Sequence, residues 1–129
     1  MTNTKGKIRT GVIGAGVMGI YHSRIYDKIS NFVGISDSNK EIGKSISKKL
    51  ETNFFDDVDL LLDKVDAVSI AVPTIYHLEV AKKAIDHNVS VLIEKPLSYN
   101  LETSEEIMRL ATTKEITLAV GHIERFNPV

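Results

Sequence analysis

Gly14, Gly16 and Gly19 follow the apolar run Ile8-Arg9-Thr10-Gly11-Val12-Ile13, and Asp37 closes a second apolar run, Phe32-Val33-Gly34-Ile35-Ser36. Each glycine has a separate task. Gly14 lets the chain turn sharply out of a strand, Gly16, flanked by Val17 and Met18, lets backbone approach a pyrophosphate, and Gly19 lets the next helix pack on the strand. Asp37, about 20 residues downstream, is placed to accept hydrogen bonds from ribose hydroxyls. Its charge repels a 2′-phosphate, and neither Lys nor Arg follows before Lys40, so the pattern favours NAD over NADP. A methyltransferase fingerprint would place glycine where Met18 stands, which removes that reading. The glycines alone do not separate a flavin from a nicotinamide cofactor.

Alternating strands and helices would hold these residues. Helix patterns cover about 17–29, with Ile20, Ile25 and Ile29 among its apolar positions, and then Ile42, Ile46 and Leu50, with Lys44, Lys48 and Lys49 elsewhere on the surface. A short strand is expected near 52–54, and a short helix through Leu60-Leu61-Leu62 capped by Asp56 or Asp57. The run 67–72 predicts a strand buried on both faces, followed by a helix over 76–87, a strand over 89–93, a helix over 102–113 and a strand over 116–120. Six such strands predict an α/β doubly wound parallel sheet, a Rossmann fold with strand order 3-2-1-4-5-6, filling residues 1–129 as one domain.

Composition excludes several partners. A net charge of −1, with basic and acidic residues interspersed, gives no footprint for nucleic acid or an anionic membrane. No apolar run approaches the ~20 residues of a membrane span. Lys5, Lys7 and Arg9 precede a glycine-studded stretch without an Ala-x-Ala-like cleavage site, so it reads as a buried strand rather than a signal peptide. The absence of cysteine excludes disulfides and thiolate-ligated zinc and is compatible with a cytoplasmic protein. His22, His77, His87 and His122 form no spaced metal set, and His87 falls where it can meet a helix C-terminus.

In doubly wound sheets ligands bind beyond the carboxyl ends of the strands. That edge collects the glycine loop, Asp37, Pro73-Thr74, Glu94-Lys95-Pro96 and the segment from Gly121-His122 onward. Pro96 restricts Lys95 to extended conformations and admits a cis bond before it.

Together, Gly14 to Gly19 with His22, Pro73-Thr74-Ile75-Tyr76-His77, Glu94-Lys95-Pro96 and Arg125-Phe126-Asn127-Pro128 resemble the glucose-fructose oxidoreductase, inositol dehydrogenase and rhizopine-catabolism family across essentially the whole chain. Thr74 departs from the asparagine usual there. The resemblance implies a dehydrogenase that moves hydride between NAD and a hydroxyl carbon of a sugar or polyol. It implies that Lys95 lies beside the nicotinamide and touches the reacting hydroxyl, and that Glu94 contacts the cofactor. It also places His122, Arg125 and Phe126 near the nicotinamide, whereas Asn127-Pro128 reads as a turn toward a second domain. Pro73, Thr74 and His77 are candidate cofactor-edge residues, with structural roles favoured for His22 and His77. The string 121–128 is most similar to members acting on nucleotide sugars such as UDP-N-acetylglucosamine. Family members continue into a substrate domain that is absent here, so residues 1–129 alone are expected to be inactive, and the apolar surface left uncovered favours a homo-oligomer. The rival expectation is a non-catalytic NAD-sensing or coenzyme A-binding module.

Overall fold

In the computed structural model of the chain, residues 6–121 are described. The strands are β1 (Arg9–Ile13), β2 (Asn31–Ser36), β3 (Asn53–Phe55), β4 (Ala67–Ile70), β5 (Ser90–Glu94) and β6 (Leu118–Gly121). They form one sheet in the order β3-β2-β1-β4-β5-β6, with every neighbouring pair parallel. The helices α1 (Val17–Ile29), α2 (Lys40–Lys49), α3 (Val58–Leu62), α4 (His77–Asp86) and α5 (Leu101–Thr113) make the connections, with a 3-10 turn over Thr74–Tyr76 before α4. The expected strand order is therefore present. Boundaries differ by a residue or two: β3 starts one residue later than expected, β4 ends at Ile70, β5 runs on to Glu94, and β6 starts at Leu118.

Val12 and Ile35, at 0% exposure, pack with Ala15 against Tyr26, Phe32, Ile46 and Leu50. A larger cluster joins Ile13, Leu61, Ile70, Ala84, Ile93 and Ile107. Local signals set the helix starts. Asn39 accepts from Ile42 N, Asn100 from Thr103 N, and Asp57 from Asp59 N, so Asp57 rather than Asp56 is the α3 cap.

Ile46 and Leu50 pack against the core as expected, but other apolar positions on the first two helices do not. Ile25 and Ile29 are 54% and 64% exposed, and the buried positions of α1 are Gly19 and Ser23. Likewise α2 buries Gly43 and Ser47 and leaves Ile42 48% exposed. The cause is interaxial distance: Gly43 lies so close to the Phe54 ring that a side chain there would collide with it, so these helices approach the sheet through small residues. Ser23 keeps its hydroxyl satisfied in this contact by donating to Gly19 O at 2.7 Å.

Candidate functional site

The glycine loop sits where β1 hands over to α1. Gly14 has φ +109°, a conformation that disfavours any side chain, and a Cβ there would lie 2.4 Å from Ala71 O. Its amide donates to Ser36 O at 2.8 Å, tying the turn to the end of β2. At Gly19 a Cβ would lie 1.8 Å from Gly14 O, so helix and loop touch backbone to backbone. Gly16 differs: a Cβ there would meet nothing within 4 Å. It caps α1 without a side-chain bond, and the first turn carries no acid, so the amides at this helix start are available to an anion.

Asp37, at the end of β2, faces the same space. Its Oδ2 accepts from Ala15 N and its Oδ1 from Asn39 N, both at 2.7 Å, which fixes the carboxylate beside the glycine loop. A cleft of about 1090 Å³ opens there, lined by Gly14, Gly16, Val17, Met18, Asp37 and Pro73 among others. Its walls also include the apolar side chains of Ile42, Val58, Tyr76 and Val80, and two further acids, Asp56 and Asp57. The sequence pattern marks Asp56 and Asp57 only as candidate helix caps. Their place in the cleft follows from β3 ending on the same edge as β1 and β2, so a cap residue after β3 also borders the ligand space.

Beyond β4 and β5 the expected residues separate. Pro73 lines the cleft, whereas Thr74 opens the 3-10 turn and is not among the lining residues. His77 is 1% exposed, with Nδ1 3.0 Å from Leu97 O and Nε2 3.0 Å from Val72 O. Its polar atoms are thus taken up by the chain, and it fastens the loop after β4 to the loop after β5. His87 Nδ1 donates to Lys83 O at 2.8 Å, the helix-terminal contact expected of it.

Glu94 ends β5 opposite Gly121 of β6, and the exposed Lys95 follows with a cis bond to Pro96. Glu94 pairs with His22, which reaches across from α1 with Nε2 2.5 Å from Glu94 Oε1. Behind this pair, Ser69 Oγ lies 2.8 Å from His22 Nδ1 and 2.6 Å from the Tyr26 hydroxyl. Burial pushes the Tyr26 hydroxyl above its ordinary pKa, opposed in part by its bond to Ser69. Ser69 lies within an otherwise apolar strand, yet it joins this polar chain at 0% exposure. His122 and Arg125, together with Phe126 to Pro128, lie outside the described residues.

A parallel sheet in this order, with a three-glycine turn into its first helix and an acid after its second strand, defines a Rossmann dinucleotide-binding domain. Residues 8–122 match the glucose-fructose oxidoreductase, inositol dehydrogenase and rhizopine-catabolism family, an oxidoreductase family with an NAD-binding Rossmann fold, and the chain belongs to it. The chain is 40% identical over 121 residues to UDP-N-acetylglucosamine 3-dehydrogenase of Acidithiobacillus ferrooxidans, covering 94% of this chain and 39% of that protein. The solved structure of that enzyme superposes with a TM-score of 0.91. Inositol 2-dehydrogenase 2 of Mycolicibacterium vanbaalenii is 34% identical over 94% of this chain and 37% of its own length. A dehydrogenase structure from Clostridium difficile aligns at 31% identity with a TM-score of 0.87, over 94% of this chain and 41% of its own. The chain therefore spans about two-fifths of the length of these relatives.

Proposed function

We propose that the chain is the cofactor half of a two-domain dehydrogenase that moves hydride between NAD and a hydroxyl carbon of a sugar, with a nucleotide sugar such as UDP-N-acetylglucosamine as the substrate class. The observation that carries this reading is the joining of Gly16, open to ligand, and the fixed carboxylate of Asp37 in one cleft, in a chain 40% identical to a UDP-N-acetylglucosamine 3-dehydrogenase. The residues fit the cofactor. Amides of the glycine loop and the start of α1 would hold the pyrophosphate, Asp37 the adenosine ribose, and Ile42, Tyr76 and Val80 the flanks of the adenine. Asp56 and Asp57 add negative charge to the cleft, which opposes a 2′-phosphate and supports NAD over NADP. NAD supplies the hydride-accepting ring.

Lys95 is assigned the catalytic role: its ammonium would favour a substrate oxygen that gains alkoxide character as the carbon loses hydride. His122 and Arg125 are assigned to the nicotinamide side of the site. The substrate is a small molecule, the location cytoplasmic, and the whole enzyme a homo-oligomer. Two measurements test the reading. Calorimetry on the 129-residue chain should detect NAD, and the protein encoded by the uninterrupted reading frame should reduce NAD with UDP-N-acetylglucosamine. Binding without turnover of any sugar by that protein would replace the enzyme with an NAD-sensing module.

A further inference from the structure

Outside the cleft, four polar side chains cross the sheet in sequence: Tyr26 and His22 from α1, Ser69 from β4 and Glu94 from β5. The hydrogen-bond inventory of these groups gives the chain a direction. A carboxylate can only accept, so His22 Nε2 donates to Glu94; with a neutral ring, Nδ1 then accepts from the Ser69 hydroxyl, and the Ser69 oxygen accepts from Tyr26. Every hydroxyl proton has a partner, and the series ends on one carboxylate oxygen. Ser69 is fully buried and His22 and Glu94 are largely covered, at 15% and 12% side-chain exposure, so leaving their polar atoms unbonded would be costly, and apolar residues of similar shape would fill the same space without that requirement. Glu94 is confined from a second side as well, because a Cβ at Gly121 would lie 3.3 Å from both of its carboxylate oxygens. A largely covered train of donors thus fixes one carboxylate at the ligand-bearing end of β5, one residue before Lys95.

We propose that Glu94 is held by His22, Ser69 and Tyr26 as a fixed negative charge that makes the site prefer the oxidised cofactor, whose nicotinamide is cationic, over the reduced one, whose ring is neutral. This rests on the NAD reading above. In a sheet of this order the half formed by β4, β5 and β6 serves the second nucleotide of the dinucleotide, which puts Glu94 on the nicotinamide side. Glu94 acts on the cofactor through its charge. His22, Ser69 and Tyr26 act through Glu94 and are positioning residues.

Calorimetric titration of the 129-residue chain with NAD+ and with NADH tests the proposal, using wild type, Glu94→Gln, His22→Ala and Tyr26→Phe. Glu94→Gln keeps the shape and removes the charge. It should weaken NAD+ by about ten- to a hundredfold, the effect of a unit charge on a cation roughly 6–12 Å away near a protein surface, while NADH changes by less than about twofold. His22→Ala should shift the NAD+/NADH affinity ratio in the same direction by a smaller factor, and Tyr26→Phe by less again. A role in stability alone would lower the melting temperatures and leave the ratio untouched. That outcome overturns the proposal, as does an equal loss of both cofactor forms in Glu94→Gln. If His22→Ala does not fold, the isosteric Glu94→Gln decides alone. Failure of wild type to bind either form would overturn the NAD reading and this one with it, whereas binding of both with an unchanged ratio across the variants would overturn this one only.

Discussion

Alanine at two glycines five residues or fewer from the first should separate folding from binding. At Gly19 an added Cβ would lie 1.8 Å from Gly14 O, whereas ordinary contact begins near 3.4 Å, so helix or loop must move by more than about 1 Å. Overpacking of that kind costs about 1–3 kcal/mol, and here a Cβ fixed rigidly to the helix backbone meets a backbone oxygen, which puts Gly19→Ala at the upper end. For a domain of this size, 3 kcal/mol corresponds to a fall of roughly 10 °C in Tm. Because the displaced atom belongs to Gly14, NAD affinity should fall with stability.

Gly16→Ala should behave in the opposite way. Gly16 has φ −80° and ψ −168°, a region open to alanine, and its Cβ meets nothing within 4 Å. Stability should stay within about 1 kcal/mol of wild type, since the gain from a stiffer unfolded chain and the small loss at a helix cap nearly cancel. The same methyl projects into the space assigned to the pyrophosphate, where a comparable overpacking term weakens NAD by roughly 5- to 150-fold. Urea unfolding and calorimetry on the two variants give the four numbers needed. Gly16→Ala with wild-type NAD affinity would refute the placement of the pyrophosphate, and Gly19→Ala with wild-type stability would refute the close-packing argument.

Further outcomes are expected. Wild type should bind NAD more tightly than NADP because Asp37, Asp56 and Asp57 line one cleft together, and Asp37→Ser should narrow the gap; calorimetry with both cofactors checks this. In the protein encoded by the full reading frame, Lys95→Ala should lower kcat by roughly 10²–10³, about 3–4 kcal/mol of transition-state stabilisation, with NAD affinity nearly unchanged; wild-type kcat would make Lys95 a bystander. The 129-residue chain should bind NAD and oxidise no sugar, and measurable turnover by it would contradict the two-domain reading. Tyr26 has its pKa raised by burial, so the folded state holds this proton more tightly than the unfolded state does. Its contribution is complete below the ordinary tyrosine value of 10.0 and is lost as pH rises through the higher folded value. Thermal melting followed into that alkaline range should therefore fall less steeply for Tyr26→Phe than for wild type.

The strands and the glycine turn were legible because both depend on residues close in sequence, and the strand order then followed from the doubly wound arrangement that such an alternation adopts. Gly14, Gly16 and Gly19 carry their conformational meaning within one turn of chain, and the apolar runs of β1, β2, β4 and β5 mark strands covered on both faces. The helix faces were less legible. Apolar periodicity marks the side of a helix that avoids water, but where α1 and α2 press on the sheet through Gly19, Ser23, Gly43 and Ser47, backbone proximity decides the buried side. Ile25 and Ile29 are then left outside despite their hydrophobicity.

The same distinction accounts for the site. Asp37 could be found because its distance from the glycines is fixed by one strand-helix-strand unit. The partnership of Glu94 with His22 spans 72 residues, and that of Ser69 with His22 spans 47, so neither has a local pattern. One signal was nevertheless present. A serine inside an otherwise apolar strand must have its hydroxyl satisfied when both faces are covered, and on a central strand the partner has to come from a helix packed above it. Ser69 predicts a polar residue on such a helix, and on α1 His22 and Tyr26, one turn apart, meet it. From His22 the next polar group in reach is the acid at the end of β5, because β4 and β5 are adjacent and Glu94 is the first residue beyond the strand's apolar run. The buried serine thus leads from the core to the carboxylate beside Lys95, and links the packing of α1 to the chemistry assigned to the far end of the sheet.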